Sequence, residues 1–251
     1  MALYSTATGE GPAVVLVHGW GLSSAVWAGF AGALARRHRV IAVDLPGHGR
    51  SPGSRFELDE AADEVLELAP AGAHWIGWSL GGLVALKAAA RAPGRLGGAM
   101  LLASTPRFVR GAGWPGLEPG VLVQFAADLS QDYQRTIGRF LFLVSRGAPA
   151  QSEALRALRR QLGSAPAPDR AALADGLKVL RDTDLRDRLE GLAVPLSLVL
   201  GARDMLVPVA MAEVLHRRMA HLPVTVIDAA GHAPFLSHPD QCLKAVEQFV
   251  T

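Results

Sequence analysis

The sequence predicts a single α/β domain, a mainly parallel sheet with helices on both faces and an all-helical insertion. Two observations carry this. Short apolar runs alternate with longer helix-period segments in both the first and the last part of the chain, and the alternation stops for about 90 residues between them. A chain of 251 residues, 50% of them hydrophobic, is long enough to bury one sizeable core and carry such an insertion.

Taken in order, "AVVLVHG" at 13–19 is apolar and too short for a helix, so it reads as a buried strand. Residues 24–37 place apolar side chains at helical spacing; "VIAVD" at 40–44 is the next strand and 57–69 the next helix. "HWIGWS" at 74–79 is a third clear strand. The helix over 80–92 stops at Pro93, whose ring cannot continue it, and "GAMLLAS" at 98–104 is a fourth strand. Between Pro106 and Val194 nothing reads as a buried strand. "LVQFAADLSQDYQRTIGRFLFLVS", "SEALRALRRQL" and "RAALADGLKVLRD" are amphipathic helical segments there, split by loops such as "RGAPA" and "GSAPAPD". The strand pattern resumes with "PLSLVLG" at 195–201 and "VTVID" at 224–228, each followed by a helix. The expected division is therefore a core of 1–106 and 192–251, with a helical cap over 107–191.

Charge and cysteine usage narrow the function classes. A formal net charge of +2 is too mild to imply nucleic acid, although 22 of the 25 basic residues are arginine. Cys242 is the only cysteine, which excludes an internal disulfide, fits a reducing compartment, and reads as a small buried residue of the last helix. "MALYSTATGEGP" has neither a basic n-region nor an apolar h-region, and no apolar run reaches the roughly 18 residues of a membrane span. A soluble cytoplasmic protein is expected.

In an open parallel sheet, ligands bind beyond the carboxyl ends of the strands. Three residues there form a set: Ser79 after the third clear strand, Asp204 after "LSLVLGAR", and His232 in "DAAGHAPFLSHP" after the last. Ser79 lies between Gly77 and Gly81, where a strand turns into a helix. A turn tight enough to lift a hydroxyl above the sheet strains the backbone at the serine and leaves no room for side chains two residues either way. It also sets Ser79 at a helix N-terminus, where free N–H groups favour developing negative charge. Serine needs a base to take its proton, and the base needs a carboxylate to fix its tautomer; His232 and Asp204 supply these in the chain order Ser, Asp, His. The Leu80 N–H and the Trp20 N–H of "HGWG" are the expected oxyanion donors.

Asp228 competes with Asp204 as the acid but lies only four residues before His232, where it ends a strand. His18 is expected to shape the oxyanion loop, and His38, His48, His74, His216, His221 and His238 to be structural or exposed. No histidine pair has zinc spacing with a carboxylate, so neither a metal nor a cofactor is expected.

The segments "LVHGWG", "DLPGHGRS", "GWSLGG", "GARDMLVP" and "GHAPFLSHP" resemble the α/β-hydrolase superfamily across the whole chain. "LVHGWGLSSAVW", "IGWSLGGLVA", "WPGLEPGVL" and "QRTIGRFL" are similar, more narrowly, to the pimeloyl-[acyl-carrier protein] methyl ester esterases of biotin synthesis. The resemblance implies the α/β-hydrolase fold. Because only Met1 to Gly11 precede "PAVVLVHG", too few for a full two-strand opening, about seven strands are expected. It also implies a carboxylesterase acting on a carrier-bound methyl ester, with Trp20, Leu80 and Phe140 lining an acyl channel.

From Arg135 to Arg160 six arginines face one acid, Glu153, a local +5. Arg135 and Arg139 lie one helical turn apart, as do Arg156 and Arg160, so each pair presents a basic surface to an acidic protein or a phosphate. The resemblance matches the family's carrier-binding arginines to Arg135, Arg139 and Arg156; a fourth falls on Ser152, with Arg159 its substitute. The expected partners are therefore acyl carrier protein bearing the substrate and small-molecule esters, without nucleic acid or membrane, for a monomeric chain. Two other functions remain open at this stage: a general short-chain esterase or lactonase, and a non-catalytic binding protein on the same fold. Dehalogenases and epoxide hydrolases are disfavoured, because they use an aspartate where this chain has Ser79.

Overall fold

In the computed structural model, residues 2–146, 151–163 and 165–250 are described, with the backbone alone at 151–154, 161 and 162. The rest of the "RGAPA" loop after Arg146, and Ser164 of "GSAPAPD", lie outside the described residues, as does the side chain of Ser152.

Seven strands form one sheet: β1 (Ser5–Thr8), β2 (Ala13–Val17), β3 (Arg39–Val43), β4 (Ala73–Trp78), β5 (Leu96–Leu102), β6 (Leu196–Gly201) and β7 (Val224–Ile227). Their order is β1-β3-β2-β4-β5-β6-β7, with β1 antiparallel to β3 and every other pair parallel. The central strands are apolar on both faces because helices cover both: Val14 to Val17 are fully buried, as are Trp75, Ile76 and Trp78. The chain leaves β2 for β3 on one side and returns to β4 on the other, with Val17 opposite Gly77. The crevice beyond the carboxyl ends of β2 and β4 is therefore the switch point where such sheets bind ligands.

The core helices are α1 (Ala28–Leu34), α2 (Leu58–Leu68), α3 (Leu80–Arg91), α8 (Met211–Arg218), α9 (Pro234–Ser237) and α10 (Pro239–Val250). Between β5 and β6 run α4 (Pro119–Gln131), α5 (Tyr133–Ser145), α6 (Gln151–Gly163) and α7 (Arg170–Asp182). No helix among the described residues is long and apolar enough to cross a membrane. In α10, Cys242 is buried, and burial pushes its thiol up to about 12.

Three boundaries differ from the sequence reading, each for a local reason. The helix expected at 24–37 opens as a 3-10 turn at Ser24–Trp27, because the Asp44 carboxylate captures the Ser24 N–H at 2.6 Å; α1 then ends at Leu34. The last strand of the first half ends at Leu102, since Ala103 takes φ 44° and leaves the sheet. The long segment starting at Leu122 is two helices. Asp132 breaks it with an extended backbone and caps α5 by accepting the Arg135 N–H at 3.0 Å.

Candidate active site

The turn after β4 places Ser79 at φ 54°, ψ −118°, a conformation rare for any residue with a side chain. Its neighbours show why glycine flanks it. A Cβ on Gly77 would overlap the Gly81 carbonyl and sit 2.6 Å from Gly82 Cα, while one on Gly81 would sit 2.6 Å from the His18 carbonyl oxygen. The Ser104 hydroxyl braces the turn from below, donating to the Ser79 carbonyl at 2.6 Å.

The three strand-end residues converge. Ser79 Oγ lies 2.9 Å from His232 Nε2, and His232 Nδ1 lies 2.8 Å from Asp204 Oδ2. The other oxygen of Asp204 accepts the Leu206 and Val207 N–H groups at 2.7 and 3.1 Å, which locks the carboxylate in plane. That arrangement fixes the tautomer: Nδ1–H donates to the carboxylate and Nε2 accepts from the Ser79 hydroxyl, the geometry that a histidine base and a serine nucleophile require. All three are buried, at 3% exposure for Ser79, 8% for Asp204 and 0% for His232. Asp228, the competing acid, is exposed at the end of β7. Trp78 supports the histidine loop, donating its indole N–H to the His232 carbonyl at 2.7 Å.

The loop after β2 is held by His18. Leu45 N–H donates to its Nε2 at 2.9 Å, so Nδ1–H donates to the Gly19 carbonyl at 2.8 Å. Both ring nitrogens are thereby committed to backbone. Burial holds His18 below its ordinary value, against the opposing charge of Asp44, and burial with the neighbouring His18 lowers His48 to about 3. Asp44 ties the next loop down by accepting the Ser24 and Arg50 N–H groups. Asp44, Trp78 and Ser104 were missed by sequence reasoning; only Asp44 carries a local signal, as an acid at a strand end.

Trp20 ends the loop beside Ser79. Its indole N–H donates to the Leu173 carbonyl of α7 at 2.8 Å, and its ring meets Phe140 of α5 edge-on, 4.9 Å between centroids. Leu80 is the first residue of α3, so its N–H has no intrahelical partner. Above Ser79 opens a slot whose other lining side chains are all apolar, among them Trp20, Phe108, Phe140, Leu177 and Leu206. The half-buried Leu117 and Val121 mark its outer end.

The candidate carrier-binding arginines are exposed, Arg135 and Arg139 on α5 and Arg156 and Arg159 on α6. Arg139 is engaged: it pairs with Asp128 of α4 at 2.9 Å and lies over the Phe125 ring at 5.0 Å. Arg135 and Arg139 share a groove of about 620 Å³ with Asp128 and Asp132, two acids that the sequence window from Arg135 leaves out.

The sequence matches the alpha/beta hydrolase family over residues 14–245. It is 45% identical to a pimeloyl-[acyl-carrier protein] methyl ester esterase of Methylococcus capsulatus, over 251 residues that cover 100% of this chain and 99% of that protein. A protein of the same name from Aeromonas hydrophila is 44% identical, with 96% of each chain covered. Among solved structures, the esterase EaEST of Exiguobacterium antarcticum superposes with a TM-score of 0.88 at 24% identity, covering 99% of this chain and 95% of that one. An enol-lactonase of Burkholderia xenovorans gives 0.85 at 24% identity, covering 99% and 96%.

Proposed function

The chain belongs to the alpha/beta hydrolase family, and we propose that it is a serine carboxylesterase that cleaves the methyl ester of a pimeloyl chain carried on acyl carrier protein, in the cytoplasmic route to biotin. The observation that carries this reading is the unbroken relay from Ser79 through His232 to Asp204 at the floor of an apolar slot.

Ser79 Oγ attacks the ester carbonyl as His232 Nε2 takes its proton, and Asp204 stabilises the imidazolium. The oxyanion forms toward the Leu80 and Trp20 N–H groups, where loss of one donor costs roughly 3 to 4 kcal/mol of transition-state stabilisation. His232 then protonates the departing methoxide, and methanol leaves an acyl group on Ser79. Water, deprotonated by the same nitrogen, attacks that acyl group, and collapse releases the free acid and returns the proton to Ser79.

The apolar slot suits the methylene chain between the two carboxyl carbons, since each methylene withdrawn from water contributes about 0.8 kcal/mol. Its open volume is about 30 Å³, close to the share of one water molecule, so an acyl chain enters as lining side chains such as Phe140 and Val121 rotate aside. Helices α4 to α7, within 107–191, act as a cap over the core. The arginines on α5 and α6 orient the carrier protein, with Arg135, Arg156 and Arg159 offering more free charge than Arg139, which Asp128 partly neutralises. The functional unit is a monomer that works without metal or cofactor.

Expression in a bacterial strain lacking its own esterase for this step tests the reading. Growth without biotin is expected from the wild type and not from Ser79→Ala. Turnover of small esters without rescue of growth would make the protein a general esterase instead, and no turnover of any ester would leave a binding protein on this fold.

A further inference from the structure

We propose that Gly176 is a positioning residue, through which helix α7 seats the loop that carries the second oxyanion donor. The inference rests on the esterase reading above and concerns a residue in the middle of an amphipathic helix. Glycine weakens a helix interior relative to alanine, so its presence there calls for a packing reason. The structure supplies one. A Cβ on Gly176 would sit 2.8 Å from Trp20 Cδ1, 3.3 Å from Trp20 Nε1 and 3.5 Å from Leu80 Cδ2. These are side chains of the two residues proposed above as the oxyanion donors. Gly138, inside α5, has open space where its Cβ would be, so close approach is particular to Gly176 and is not a property of glycines in these helices.

The surrounding contacts make α7 a fixed seat for the core. One turn before Gly176, the Leu173 carbonyl accepts the Trp20 indole N–H at 2.8 Å. Asp169, which caps the helix, donates its own N–H to the Gly47 carbonyl at 2.8 Å. The Phe56 N–H donates to Asp175 at 3.4 Å. The Trp20 indole therefore lays one edge along α7, with Nε1–H bonded to Leu173 and the adjacent Cδ1 packed against the bare backbone at Gly176. Because the ring is fully buried, an added methyl cannot be absorbed by rotation into solvent, and the displacement passes to the Trp20 backbone.

The test uses the full chain with p-nitrophenyl acetate, whose acyl group is too short to report on the far end of the slot, and reads kcat, KM and thermal midpoint together. Gly176→Ala is expected to lower kcat about tenfold, less than the 10²- to 10³-fold of complete donor loss, with KM within about twofold and a cooperative thermal transition that shows the variant folded. Gly138→Ala is the control and keeps wild-type kcat. In a Trp20→Phe background, where the ring is smaller and has no N–H, kcat starts lower, and adding Gly176→Ala costs less than about twofold further. Wild-type kcat in Gly176→Ala, or the same loss in both backgrounds, overturns the proposal. So does a loss confined to long-chain esters, which would make Gly176 a lining residue. If Gly176→Ala does not fold, Trp20→Phe alone decides, since an unchanged kcat on acetate would show that the link to α7 does not hold the donor. A wild type without ester turnover overturns the esterase reading and this inference with it.

Discussion

Replacing Asp204 by asparagine isolates what the carboxylate does for His232. In the structure Oδ1 accepts two backbone N–H groups, from Leu206 and Val207, and only Oδ2 faces the imidazole. An asparagine carbonyl oxygen must stay where those two N–H groups point, because turning the amide over would set an NH₂ against two donors. The NH₂ is thus forced toward His232 Nδ1, which becomes the acceptor. The proton moves to Nε2, and the lone pair that should take the Ser79 proton is gone. Loss of this kind costs about 10⁴-fold in kcat, or about 5.4 kcal/mol of barrier, while the loop keeps its hydrogen bonds and the fold its stability. The assay is kcat on a short acyl ester beside the thermal midpoint, with Asp228→Asn as the exposed counterpart expected to stay near wild type. An Asp204→Asn enzyme within about tenfold of wild type, or a larger loss in Asp228→Asn, would refute the assignment of the acid.

Three further outcomes follow from the same geometry. His48 titrates near 3 in the fold against 6.5 in the unfolded chain, so below pH 6.5 the unfolded chain binds more protons, and stability falls by up to about 1.4 kcal/mol per unit as pH drops toward 3. His48→Gln should flatten the thermal midpoint between pH 6.5 and about 4, and an unchanged slope would assign the acid sensitivity elsewhere. Gly77→Ala places a Cβ against the Gly81 carbonyl, and a loss of about 3 kcal/mol or more in chemical denaturation is expected; a loss below about 1 would mean the turn can relax. Arg135→Glu with Arg156→Glu should raise KM for the carrier-linked ester at low salt, with the difference shrinking as salt rises, and leave a free short ester within about twofold. Equal losses on both substrates would mean that these side chains hold the helices together.

Much of this site was legible in the sequence because its residues sit at the ends of strands, and strand ends are local features. Gly77, Ser79 and Gly81 announce a sharp turn within five residues, and the order of Ser79, Asp204 and His232 needs only the alternation of strands and helices. What escaped depends on contacts between distant segments. Gly176 meets Trp20 only once α7 folds back over the sheet, and nothing in "ADGLK" marks it. Ser104 braces Ser79 across the β4–β5 pair. The basic stretch starting at Arg135 looked unopposed because the window began after Asp132; the turn at that residue brings Asp128 back beside Arg139. Strand β1 pairs with β3 in spite of an exposed, polar pattern, since the edge of this sheet needs hydrogen bonds there and little burial.

The most direct measurement presents the purified protein with a pimeloyl methyl ester linked to acyl carrier protein and follows methanol release together with the mass of the carrier. One methanol is expected for each carrier converted to the free acid, with an intact thioester to the carrier and no conversion by Ser79→Ala folded to the same thermal midpoint. Cleavage at the thioester, or methanol release that survives Ser79→Ala, would contradict the proposed function.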